Sequence, residues 1–194
     1  MPLRIGITGG IGSGKTMVCQ VLEKLGYYVF YSDRVARDIS ISNQHVISRI
    51  KSTFGDEVYV NEQLNRAYLA SLVFTNPELL AKLNHIIHPA VARAFEEWCN
   101  LYNLEKILFK ESAIIFETGL HKQLHKVILV TAPVEVRIRR VMERDGITEQ
   151  EVRIRMGNQM PEEKKIELAD FIIVNDSKTL LLPQLINIIS NLLA

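Results

Sequence analysis

Gly9-Gly10-Ile11-Gly12-Ser13-Gly14-Lys15-Thr16 decides how this chain is read. The run matches G-x-x-x-x-G-K-[ST] at every fixed position, and its flanks suit it. Leu3–Thr8 is short, apolar and runs into glycines, which reads as a buried strand. From Lys15 onward Met17, Val18, Val21, Leu22 and Leu25 recur at helical spacing, and Gly26 stops the helix. Glycines let consecutive N–H groups turn inward as an anion nest, and the helix start adds partial positive charge. Gly10, Ile11, Gly12, Ser13 and Gly14 form that nest. Lys15 then supplies a point charge for β- and γ-phosphates, and Thr16 offers a hydroxyl to Mg²⁺. A dinucleotide fingerprint fits worse, because G-x-G-x-x-G begun at Gly10 needs glycine where Lys15 stands.

Outward from the loop, strand and helix alternate, which predicts an α/β parallel sheet of the P-loop NTPase type flanked by helices. Residues 27–31 read as a second strand. Residues 34–102 are mostly helical in pattern, with breaks at Gly55-Asp56, Asn61 and Asn76-Pro77. Strands return at 106–110, 126–131 and 169–174, with helices near 134–145, 148–158, 161–168 and 181–193. The expectation is a core (about 1–33, 103–134 and 168–194), a helical insertion (about 34–102) and a helical lid (about 135–167).

Composition limits the function. The 194 residues carry 23 Lys+Arg against 22 Asp+Glu, a net charge of +1, which removes the usual signature of a nucleic-acid or membrane-surface binder. Cys19 and Cys99 form no C-x-x-C pair and are expected as reduced thiols. The first residues hold no apolar run of signal-peptide length, so a cytoplasmic location is expected. The apolar stretch 180–194 is broken by Pro183, Gln184, Asn187, Ser190 and Asn191 and is too short to span a bilayer. A monomer is expected. No aspartate is followed three residues later by glycine, and N-K-x-D is absent, which disfavours a GTPase. A small-molecule kinase is favoured. The alternatives are a kinase of a nucleoside monophosphate or similar metabolite, and a non-catalytic nucleotide switch.

Asp33 follows the second strand. Carboxyl ends of strands face the ligand crevice of an open α/β sheet, so Asp33 is a candidate general base for an acceptor hydroxyl. Equally, Ser32 or Asp33 could cap a helix over 35–41. Arg137, Arg140 and Arg144 share one helix face, and Arg153 and Arg155 follow after Gly146. They suit a lid that brings guanidinium groups over a developing phosphoryl charge. The competing reading is a solvated face paired with Glu135, Glu143, Glu149 and Glu151. His121 and His125 are four apart but lack zincin chemistry, since Lys122 stands where a glutamate is needed, and read as surface residues. His88 precedes Pro89, which favours an extended or kinked backbone, as a core turn or a ligand contact.

Taken in order, these motifs resemble the dephospho-coenzyme A kinase family over nearly the full chain. The resemblance is carried by Ile7 to Thr16, Ser32-Asp33-Arg34-Val35-Ala36, Leu64-Asn65-Arg66, Leu72-Val73-Phe74 and Leu83-Asn84-His85-Ile86-Ile87-His88-Pro89-Ala90-Val91. It continues with Arg144-Asp145-Gly146, Arg155, Gln159-Met160-Pro161, Ala169-Asp170 and Asn175. It implies that ATP phosphorylates the ribose 3′-hydroxyl of dephospho-coenzyme A, with ATP and Mg²⁺ as cofactors. Asp33 would be the base, Arg66 and His88 would hold the acceptor in the insertion, Arg140 would act from the lid, and Asn175 would lie near the adenine. The chain departs from the family at Glu111-Ser112-Ala113-Ile114-Ile115-Phe116-Glu117, where the family has Asp-Val-Pro-Leu-Leu-Phe-Glu. Glu111 keeps the charge on a longer side chain, as a candidate acceptor contact.

Overall fold

The computed structural model describes residues 1–74 and 76–194. The side chain of Phe74, one carrier of the resemblance, lies outside the described residues. The chain divides into two compact units, Met1–Phe30 with Tyr102–Ala194, and Tyr31–Leu101.

The first unit is built on a five-stranded sheet. Its strands are β1 (Leu3–Thr8), β2 (Tyr28–Tyr31), and then, beyond the second unit, the strands at Ile107–Glu111, Lys126–Thr131 and Phe171–Val174. Those three follow a hairpin in chain order and are numbered β5, β6 and β7. The sheet order is β2-β5-β1-β6-β7. β1 is central and runs parallel to both neighbours, with Leu3 opposite Ile107 and Ile5 opposite Lys126. Its Ile5 and Ile7 are fully buried, as a strand covered on both faces requires. Helix α1 (Lys15–Lys24) leaves the glycine loop. The later helices of this unit are α6 (Val134–Asp145), α7 (Glu149–Gly157), α8 (Glu162–Leu168) and α9 (Leu181–Leu193).

Helix α1 corrects one expectation. Its buried stripe is Val18, Cys19 and Leu22, while Met17 is 54% exposed. Met17 sits a further 100° round the helix from Val18, away from Cys19. Leu25 is also exposed, because it is the C-cap rather than a member of the helix.

The second unit holds α2 (Ser32–Ser42), α3 (Gln44–Phe54), the hairpin strands β3 (Tyr59–Val60) and β4 (Gln63–Leu64), α4 (Arg66–Phe74) and α5 (Pro77–Leu101). Its core joins Val46, Ile50 and Phe54 of α3 to Leu69 and Val73 of α4 and Ile86 and Ala90 of α5. The expected break at Asn61 is the tip of this hairpin, where Asn61 and Glu62 both have positive φ, 48° and 63°. Such a pair is the signature of a type I′ turn.

The backbone at His88-Pro89 is helical rather than extended. Pro89 lies inside α5, a helix of 25 residues. The ring costs the helix one hydrogen bond, but Ile86, Ala90, Val91 and Phe95 are buried on both sides of it. Packing of an apolar face outweighs one local breaker.

Candidate active site

The glycine loop closes on itself before α1 begins: the Ser13 N–H donates to the Gly10 carbonyl at 3.1 Å. Gly14 is the residue before α1, at φ 89°, a left-handed conformation that glycine adopts without strain. Gly10 is glycine for a different reason, since a Cβ there would run into the Arg137 guanidinium. Among the described residues no acceptor serves the N–H groups of Gly12, Gly14 and Thr16. Ser13 Oγ is buried and likewise unengaged. Unengaged N–H groups at a helix N-terminus are the donor set that an anion completes, so the loop fits a polyphosphate. Lys15 is half-buried, with Nζ donating to the Gly9 carbonyl at 2.8 Å. Thr16 is exposed in the first turn of α1 and its hydroxyl makes no hydrogen bond among the described residues. A free hydroxyl oxygen beside the phosphate loop is a ligand type that would suit an oxygen-preferring cation such as Mg²⁺.

Four groups fix the loop from outside. Asn175, buried just beyond β7, donates from Nδ2 to the Ser13 carbonyl at 2.9 Å. Arg140 donates to the Gly12 carbonyl (3.3 Å), to Asn175 Oδ1 (3.4 Å) and to Ser177 Oγ (2.8 Å). Arg137 donates from Nε to the Ile11 carbonyl at 3.0 Å, and Gln159 Oε1 accepts the Ile11 N–H at 2.8 Å.

The arginines of the two helices have different partners. Arg137 is buried and paired with Glu162 at 3.0 Å, so its charge is spent within the protein rather than offered to a phosphate. Helical spacing correctly puts Arg137 and Arg140 on one side of α6, but the buried end of that side packs under the loop. Arg144 and Arg155 both engage Asp145, at 2.7 and 2.8 Å, and Arg153 pairs with Glu149 and Glu135. Arg140 alone of these five has no carboxylate partner among the described residues. The helix α7 that follows opens on a complete capping box between Thr148 and Glu151.

Glu111 ends β5, opposite Ile7 in the register, and is nearly buried. Its influence is visible at Cys19 of α1. Burial first, and then the Glu111 charge, push the Cys19 thiol far above its ordinary value against the opposing pull of Lys15.

In the second unit, Asp33 is exposed in the first turn of α2. The helix begins at Ser32, not at 35, and neither Ser32 nor Asp33 caps it: Tyr31 is the N-cap and makes no side-chain bond there. The Asp33 carboxylate has no hydrogen bond among the described residues. Arg66 opens α4, exposed, and His88 is exposed on α5. Both α2 and α4 pack on α5, so the three residues belong to one packed set of helices.

The two histidines face different partners. His125 Nδ1 accepts the Arg4 N–H at 2.9 Å, and His121 packs on Phe116 with its Nδ1 buried. Among the described residues no cluster of three metal-binding side chains occurs. Sequence reasoning gave no role to Gln159, Ser177 or the buried side of Arg137. Gln159 had a signal, its place in the motif Gln159-Met160-Pro161, while Ser177 had none.

Comparison with known proteins agrees with this geometry. The family model described as dephospho-CoA kinase matches residues 3–180. The dephospho-CoA kinase of Chlorobium chlorochromatii is 41% identical over 183 residues, covering 91% of this chain and 86% of that protein. A solved Thermus thermophilus protein superposes with a TM-score of 0.89 at 38% identity, covering 100% of this chain and 98% of its own. The solved dephospho-CoA kinase from Campylobacter jejuni gives 0.72 at 27% identity, with coverage of 98% and 97%. A phosphate loop of this geometry, in a chain matched by the family model almost from end to end, belongs to the dephospho-CoA kinase family.

Proposed function

We propose that this chain transfers the γ-phosphoryl group of ATP to the ribose 3′-hydroxyl of dephospho-coenzyme A, giving coenzyme A. The observation that carries the reading is the set of unengaged N–H groups at Gly12, Gly14 and Thr16. They form a donor cradle for a triphosphate in a chain whose relatives are named for this acceptor. Lys15 neutralises the β- and γ-phosphates. Arg140, without a carboxylate partner among the described residues, adds charge beside the loop from the lid, and Asn175, bonded to the Ser13 carbonyl, lies near the adenine. Thr16 Oγ1 would hold Mg²⁺, which when bound offsets charge across the β- and γ-oxygens.

Asp33 is the general base. Its carboxylate is exposed and uncommitted, and it stands two residues past the end of β2. It accepts the proton of the acceptor hydroxyl as the phosphoryl group arrives. Arg66 and His88 hold the acceptor, and Glu111 contributes an acceptor contact from the end of β5.

The test is steady-state turnover with ATP, Mg²⁺ and either dephospho-coenzyme A or a nucleoside monophosphate. Turnover of dephospho-coenzyme A alone is expected, and turnover of the monophosphate alone would reject the reading. Asp33→Asn should lower kcat by about 10²-fold or more with the KM for ATP near normal. Unchanged kcat would remove Asp33 from the chemistry.

A further inference from the structure

Ile11 is gripped at both its N–H and its carbonyl. Gln159 Oε1 takes its N–H at 2.8 Å and Arg137 Nε reaches its carbonyl at 3.0 Å. Peptide planarity makes each grip act on the next group along the chain. The Ile11 N–H shares a trans peptide with the Gly10 carbonyl, so holding one outward turns the other toward the Ser13 N–H that it accepts. The Ile11 carbonyl shares a peptide with the Gly12 N–H, the first of the unengaged donors. Arg137, by holding that carbonyl, turns the Gly12 N–H the opposite way.

One grip comes from the turn between α7 and α8, and the other, from Arg137 of α6, is tied to the start of α8 by an ion pair. Gln159 lies in the turn between α7 and α8, and Glu162, the partner of Arg137, is the first residue of α8. That turn is anchored in its own right. Glu117 accepts the Met160 N–H at 3.1 Å and pairs with Lys165 at 2.9 Å, and Lys165 is fully buried.

We propose that Gln159 is a positioning residue for the nucleotide. It sets the Gly10–Ile11 peptide and so the donor cradle, and it couples the seating of the α7–α8 turn to triphosphate binding. This rests on the reading that the loop takes ATP. Coupling of this kind is reciprocal, so ATP must also steady the turn.

The test uses Gln159→Met, which is close in size but offers the Ile11 N–H no comparable acceptor, and Gln159→Ala as a second variant. Amide exchange, thermal melting, ATP titration and steady-state kinetics are measured on each. The Ile11 amide should exchange faster in both variants. The KM for ATP should rise about fivefold to tenfold, the worth of one peptide hydrogen bond, while the KM for dephospho-coenzyme A stays within about twofold. In the wild type ATP should slow exchange across residues 149–168, and in the variants it should not. An unchanged KM for ATP in both variants overturns the proposal. So does a joint rise of both KM values with a fall in melting temperature, which marks a merely structural tether. A wild type that binds no ATP would instead overturn the function reading itself.

Discussion

Arg137 and Arg140 stand one helical turn apart and should fail in different ways when truncated. Arg137→Ala removes the donor to the Ile11 carbonyl and the partner of Glu162. A hydrogen bond from a charged donor is worth about 1.5–3 kcal/mol. Breaking a fully buried pair costs about 3–5 kcal/mol, but the Glu162 side chain keeps 20% exposure and recovers water, so its share is nearer 1–2. The sum is about 2.5–5 kcal/mol. At roughly 2–4 °C per kcal/mol for a chain of this length, the melting temperature should fall by about 10 °C. Arg140→Ala breaks a longer contact to the loop and an exposed one to Ser177, so its melting temperature should move by no more than about 3 °C. Its cost should appear in kinetics instead, as a fall of about tenfold or more in kcat/KM for ATP. Thermal melting and steady-state kinetics on both variants decide the matter. An Arg137→Ala protein that melts like the wild type, or an Arg140→Ala protein that loses stability with no kinetic change, would refute the division of labour.

Two further outcomes follow from the titratable groups. Burial works against the Glu117 charge, but the Lys165 ammonium and the Met160 N–H outweigh it and hold the carboxyl below its ordinary value of 4.5. A depressed carboxyl stabilises the fold fully above that ordinary value and loses its contribution as pH falls through the folded value beneath it. Glu117→Gln should therefore be less stable by a constant margin from pH 8 to 5, and urea midpoints should converge below about pH 4.5. A margin that does not narrow in acid would exclude the ion pair as its source. Cys19 and Cys99 are both buried, and Cys19 is held in its neutral thiol form. A maleimide should leave both unmodified in the native protein and label both in denaturant, so rapid native labelling of Cys19 would contradict its placement.

What could be read from the residues alone was local. The strand, glycine loop and helix over 3–24 follow from chemistry confined to consecutive residues, and α6 and α9 from uninterrupted helical spacing. The β3–β4 hairpin escaped because each strand has two residues and its turn is Asn61-Glu62, without the glycine that usually marks one. The local preference of His88-Pro89 for an extended or kinked backbone gives no sign that α5 continues through it, because the apolar packing that carries the helix across the proline comes from other helices. Arg137 shows the same limit at the site. Spacing of three and seven says which residues share a helix face, but not that Glu162, 25 residues on, neutralises one of them. Gln159 is 148 residues from Ile11, and nothing in either segment announces that they meet.

The sheet order has a consequence for how the chain is made. β1 leaves the ribosome before the strands it pairs with, since β5 and β6 both lie roughly a hundred residues or more downstream. At about 5–20 residues per second, β1 and its phosphate loop wait on the order of 5–20 s for the first of them. Residues 31–101 are synthesised entirely within that interval, so the contiguous helical unit has all of its own chain before the sheet has its second central strand. The strand that anchors the phosphate loop is thus made before the rest of its sheet and is among the latest of its strands to be enclosed. Its apolar Leu3, Ile5 and Ile7 are the residues a nascent chain must keep from wrong partners meanwhile.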